Sequence, residues 1–184
     1  MSDLEAVDRA ASAADLGELV REDERLGLRF VRVYPHPVER VWRALTESDQ
    51  LRFWLPCDIV GERRSGGSIR LPFWPGHVEK YAIDEPVLTG EITVWEPPRR
   101  FCWTWGDDLL LWELAVVTDG TELTFTTWPA DPDLAGVVSS AGGYHLCLAL
   151  LAVLLAEGSA PAMTDVDAVA FRMEEAYKVR FGVT

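Results

Sequence analysis

The sequence predicts an α+β domain, and three observations predict it. Apolar and polar residues alternate with period two from Asp58 to Thr127. A wide apolar helical stripe follows, from about Ala135 to Glu157. The 184 residues, 48% hydrophobic and 26% charged, suffice for one domain with a real core. A run of antiparallel strands followed by one long apolar helix is resolved by wrapping a curved sheet around that helix.

Taken in chain order, residues 1–16 are rich in Ala and Asp and read as a mobile or loosely helical segment. "GELVRED" and "LGLRFVRVY" alternate as two strands joined by a polar turn at Asp23–Arg25. Pro37 opens a helix, because proline is tolerated in the first turn and presets φ. Val38, Val41, Trp42 and Leu45 share one face of it. Ser48 is placed to cap a second short helix, "DQLRFWL", which Pro56 stops.

Strands are then expected near 58–62, 67–73, 78–84, 87–95, 100–105, 109–117 and 121–127. Turns fall at "SGG" (65–67) and "TDGT" (118–121). The two prolines of "EPPRR" at 96–100 make that stretch a link or an edge. On the long helix Tyr144, Leu148, Leu151 and Leu155 share a face, flanked by Cys147, Leu150 and Leu154. Gly158 suits the position just past its end. A last amphipathic helix, about 166–180, presents Val169, Met173, Ala176 and Tyr177 on one side. The organisation expected is a segment 1–16, a domain 17–158, and a linker with a packed C-terminal helix at 159–184.

Thirty acidic against 17 basic residues give a net charge of -13, which repels phosphate backbones and anionic membrane surfaces. Three separate cysteines, Cys57, Cys102 and Cys147, make no CxxC pair and no disulfide framework, as suits a reducing cytoplasm. The first residues contain no apolar signal-like run. "LCLALLAVLLA" at 146–156 is short for a bilayer and suits a buried helix.

No metal spacing joins His36, His77 and His145 to cysteines or carboxylates, so neither a metal nor a cofactor is expected. His36 reads as structural at a strand-to-helix corner, and His77 as exposed in a turn between strands. Tyr144 and His145 are adjacent and diverge by about 100° on a helix. Tyr144 is preferred for the interior because it shares the face of Leu148 and Leu151. No GxSxG or recognisable nucleophilic cysteine motif is present, and the Gly pairs at 66–67 and 142–143 make no nucleotide fingerprint. No catalytic residue is assigned.

The informative constellation is aromatic. The chain has eight tryptophans, six of which (Trp74, Trp95, Trp103, Trp105, Trp112 and Trp128) fall in the stretch read as sheet. Phe101, Trp103 and Trp105 alternate and so point to one face. Trp112, Leu114 and Val116 do the same, as do Leu123, Phe125 and Thr127. So many rings on one concave face either fill the interior or bound a ligand-sized void.

Four stretches carry a resemblance: "HPVERVWRALTESDQLRFW" (36–54), "GEITVWEPPRRFCWTW" (90–105), "GTELTFT" (120–126) and "GGYHLCLALLAVLL" (142–155). In this order they resemble the START-like helix-grip superfamily (SRPBCC). Within it they are similar to the group named after the C-terminal domain of the activator of the heat-shock-protein-90 ATPase. Where that family usually has Gly-Trp at the start of the long helix, this chain has Gly143-Tyr144. The resemblance implies a cavity between sheet and long helix that takes small apolar or amphipathic ligands, with Trp54 near one end of it.

Strand parity, the helix face and this resemblance together predict a mostly apolar site lined by Trp54, Trp103, Trp105, Trp112, Phe125, Tyr144 and Leu148. Thr127, Arg70 and Glu91 are further polar candidates. The expected partner is a small apolar or aromatic molecule, with a homodimer allowed and nucleic acid and membrane disfavoured. Two other functions compete. One is a cyclase, dehydratase or hydrolase using the same cavity, which would need a tuned acid or base among inward positions that read as apolar. The other is a co-chaperone-like protein acting through its surface.

Overall fold

Period-two alternation becomes eight antiparallel strands, and the apolar stripe becomes the helix they hold. The computed structural model describes residues 3–131 and 133–183. The strands are β1 (Glu18–Glu22), β2 (Arg25–Tyr34), β3 (Val60–Gly61), β4 (Gly67–Pro72), β5 (Val87–Glu96), β6 (Arg100–Trp105), β7 (Asp108–Val117) and β8 (Gly120–Trp128). They form one sheet in the order β1-β2-β8-β7-β6-β5-β4-β3. The helices are α1 (Asp3–Ala10), α2 (Val38–Thr46), α3 (Ser48–Leu51), α4 (Pro75–Tyr81), α5 (Leu134–Glu157) and α6 (Ala168–Phe181).

The centre of α5 is apolar on every side, and nearly every residue from Leu146 to Leu155 is buried. Its length and hydropathy would suffice to cross a membrane, yet 78% of its most apolar window is covered inside the fold, as in the core helix of a soluble fold. Asp133 caps its start by accepting a hydrogen bond from the Gly136 N–H at 2.7 Å. Gly158, at φ 80°, ends it, the role expected for that glycine. Sheet on one side and α6 on the other then seal it, with Val169, Met173 and Tyr177 of α6 turned inward.

Several local expectations are corrected. Residues 78–84 do not form a strand: α4 occupies Pro75–Tyr81. Pro75 presets the first helical turn, the Trp74 indole pins its start by donating to the Leu55 carbonyl at 2.7 Å, and Ala82 ends it in a left-handed conformation at φ 49°. Trp74 therefore precedes a helix rather than lying in the sheet. The strand expected at 58–62 shortens to Val60–Gly61. Ser48 makes no cap; its hydroxyl donates instead to Asp58 at 2.7 Å.

Val116, expected to face inward, is 75% exposed near the end of β7. The segment expected to be mobile or loosely helical is helical over Asp3–Ala10, because Val7 and Ala11 provide apolar residues to bury. Trp42 is half-buried on α2, with its ring 5.1 Å from Trp95 and 5.2 Å from Phe101.

Candidate functional site

The sheet register decides where space remains. Phe101, Trp112, Phe125 and Phe30 are direct partners across β6, β7, β8 and β2. Their rings stack along that row, with centroids 6.1, 3.9 and 5.8 Å apart. Trp54 meets Trp112 edge-on at 5.4 Å, and Tyr144 meets Phe125 at 5.2 Å. Flat rings in register fill the middle of the interior, with contact beyond plain burial.

Four residues along β6 from Phe101 the packing opens. Trp105 pairs with Asp108 at the hairpin where β6 turns into β7. There a cavity of about 430 Å³ lies between the strand ends, α4, α5 and α6. Phe73 and Trp105 form the sheet side, with Pro56 and Ile83 from the connections after α3 and α4; Ser140, Gly143, Tyr144 and Cys147 come from α5; Met163, Asp167 and Ala170 close the third side. This is the size of ordinary small-molecule sites.

The two α5 glycines split the work. A Cβ on Gly142 would run into the Ala170 carbonyl oxygen, so α5 and α6 cross closely only because that position has none. A Cβ on Gly143 would meet nothing within 4 Å, since this position faces the cavity.

Polar groups on the wall are few. His77 is only 9% exposed, borders the cavity, and its Nε2 has no hydrogen-bond partner. Burial above all, then the Lys80 charge, holds its imidazole below the ordinary value. Burial is also the main cause that raises the Tyr144 phenol, with Asp108 next. It pushes the Cys147 thiol up to about 12. The Asp108 carboxylate accepts from the Ala130 N–H at 2.7 Å.

At the rim, Lys80 pairs with Asp167 at 2.7 Å and donates to the Thr164 carbonyl, while the Tyr81 hydroxyl donates to Asp167 at 2.9 Å. The Lys80 hydrogen bond is the leading cause that holds the Asp167 carboxyl low. These contacts tie α4 to the start of α6 across the cavity mouth.

Of the seven residues predicted to line a site, Trp105 and Tyr144 border this cavity. Trp54, Trp103, Trp112, Phe125 and Leu148 are buried in the packed centre behind it and do not border it. Thr127 is buried beside Tyr144, whereas Arg70 and Glu91 lie exposed on the sheet. His77, expected exposed, is a wall residue because its segment is helical. His77, Tyr81, Asp167 and Ala170 were missed by sequence reasoning; Pro75 directly after Trp74, a helix-start signal, was the clue to the first two.

Comparison with known proteins follows the same outline. The sequence model of the family described as "Activator of Hsp90 ATPase homolog 1-like protein" matches residues 35–156. The chain belongs to that family.

A protein encoded in Bordetella parapertussis, solved in solution, shares 30% identity over 90% of this chain and 93% of its own, with a TM-score of 0.63. A conserved protein of unknown function from Enterococcus faecalis is 18% identical, covers 100% of this chain and 99% of its own, and has a TM-score of 0.70. CalU16 from Micromonospora echinospora is 20% identical over 89% of this chain and 95% of its own, at a TM-score of 0.65. The last two show the shared fold. No curated protein sequence matches the chain. The family match ends at Ala156, so Met163, Asp167 and Ala170, one side of the cavity, come from the chain beyond it.

Proposed function

We propose that this protein binds a small apolar or aromatic molecule in the cavity between Trp105, α4, α5 and α6. The observation that carries the reading is the cavity itself: about 430 Å³, walled mainly by apolar and aromatic side chains, with one unpartnered imidazole nitrogen. Affinity comes from apolar burial at about 25 cal/mol per Å² before ordering costs, and a flat ligand gains edge and offset contacts with Trp105 and Phe73. Binding is favoured over catalysis because the Cys147 thiol and Tyr144 phenol hold their protons tightly, which makes them poor nucleophiles, and the one imidazole on the wall, His77, has no nucleophile hydrogen-bonded to its Nε2. The buried unpaired cysteines and acidic surface suit work in the cytoplasm as a soluble binder.

The test is a titration with naphthalene, followed by intrinsic tryptophan fluorescence, alongside native mass spectrometry of the freshly purified protein. Saturable quenching is expected. Gly143→Leu, whose Cβ starts in open space on the cavity side, is expected to abolish the quenching while the thermal midpoint holds. Equal binding by the wild type and Gly143→Leu would place the ligand elsewhere.

A further inference from the structure

The cavity wall carries carboxylates without a free cation to match. Asp108 and Asp167 both border it, and no lysine or arginine does among the described residues. The nearest base, Lys80, is committed at the rim to Asp167 and the Thr164 carbonyl. The chain as a whole carries a net charge of -13. An anion entering here loses its water, gains no free counter-charge, and faces the Asp108 carboxylate, the Asp167 charge being already paired with Lys80.

His77 supplies the complementary half. Its side chain is nine-tenths buried and borders the cavity, and its Nε2 is buried without a partner. A buried polar atom with no partner is costly unless something visits it. Burial and Lys80 both disfavour its charged form, so it meets a ligand as a neutral ring. Tyr81 lies 6.0 Å from it on the same helix, and the other titratable groups on the cavity wall are the Tyr144 phenol, the Cys147 thiol and the two carboxylates. A neutral imidazole nitrogen donates or accepts according to its tautomer. A hydroxyl does both, so it satisfies His77 in either tautomer; where Nε2 carries the proton and donates, the hydroxyl's own proton is left for an acceptor such as Asp108.

Resting on the reading of the cavity as a ligand site, we propose that its ligand is an uncharged aromatic compound bearing a hydroxyl group, bound through His77, and that carboxylates of the same shape are rejected.

Three probes with one ring body separate the parts of this proposal: naphthalene, 2-naphthol and 2-naphthoate, titrated by calorimetry at pH 7.5. The hydroxyl is expected to tighten binding about three- to tenfold over naphthalene, as one net hydrogen bond does. The carboxylate is expected to weaken it at least about tenfold relative to naphthalene. His77→Phe should erase the naphthol advantage while leaving naphthalene binding in place. Asp108→Asn, which keeps the acceptor for the Ala130 N–H, should narrow the penalty on naphthoate. If naphthalene binds and naphthoate binds as tightly or more tightly, the ligand class is wrong while the cavity stands. If none of the three binds, the cavity reading falls and takes this proposal with it. The ranking in the wild-type protein decides by itself, whatever the variants do to folding.

Discussion

Tyr144 and His145 are consecutive on α5, and they meet opposite surroundings. Tyr144 looks toward the cavity beside Gly143 and Cys147. His145 is sealed on the other side, with Nδ1 3.0 Å from the Tyr177 hydroxyl and its ring edge-on to Phe30 at 6.1 Å. That hydroxyl also accepts from the Gly17 N–H at 2.7 Å, so three distant parts of the chain close over one buried point. The closed side has rings in register and a polar knot at its heart. The cavity side has a helix, α4, where the strand pattern falters, and a glycine where a side chain would fill the space. The fold is held from the closed side, which leaves the other side free to stay hollow.

The largest expected effect lies in the ring row. Phe125→Ala removes the partner that Trp112 stacks on at 3.9 Å and should cost about 3–5 kcal/mol in urea unfolding. A loss under about 1 kcal/mol would mean that the closed side is looser than its geometry.

The next effect is a pH dependence. Burial first, and Arg32 second, hold His145 down to about 4 in the folded protein, against 6.5 when exposed. The unfolded chain therefore takes up the proton first as pH falls. The stability contributed is fully present above about pH 6.5, declines toward pH 4, and amounts to about 3 kcal/mol over that window. His77, also depressed, acts in the same sense. Unfolding free energies measured from pH 7 to pH 4 should fall accordingly, and replacing His145 with leucine should flatten most of that slope. An unchanged slope would show that the imidazole is not sealed.

The adjacent glycines give the smallest and sharpest contrast. Gly142→Ala forces α5 away from the Ala170 carbonyl and should destabilise by about 1–3 kcal/mol. Gly143→Ala adds a Cβ in open space and should stabilise by up to about 1 kcal/mol through helix propensity. Equal and opposite shifts in thermal midpoint are not required; opposite signs are.

How far the sequence discloses all this depends on what kind of signal each part leaves. The long helix, the strands from Val87 to Trp128 and the inward parity of Trp103 and Phe125 follow from periodicity, which burial imposes directly. Tyr144 was separable from its neighbour by helical angle alone. The cavity's position was not legible, because parity tells which face a ring is on and not whether rings in register stack. Trp112 and Phe125 stack and fill the centre, so the space moves to Trp105 at the strand end. His77 and Tyr81 were hidden by "GHVEKY", seven apolar-poor residues with Pro75 whose helix depends on the Trp74 anchor. Asp167 and Ala170 reach the cavity only through the α5–α6 crossing, a tertiary fact that no local pattern around residue 167 records.

Ligand is expected to bind beside Trp105 and not within the stacked row. The direct measurement is a proton–nitrogen NMR titration with 2-naphthol, which reads each indole N–H and backbone amide separately. The largest shifts are expected at the Trp105 indole and at the amides of Gly143 and Ala170, with the indoles of Trp54 and Trp112 moving little. Dominant shifts at Trp54 and Trp112, or at the exposed outer face of β2 around Val31 and Val33, would contradict it.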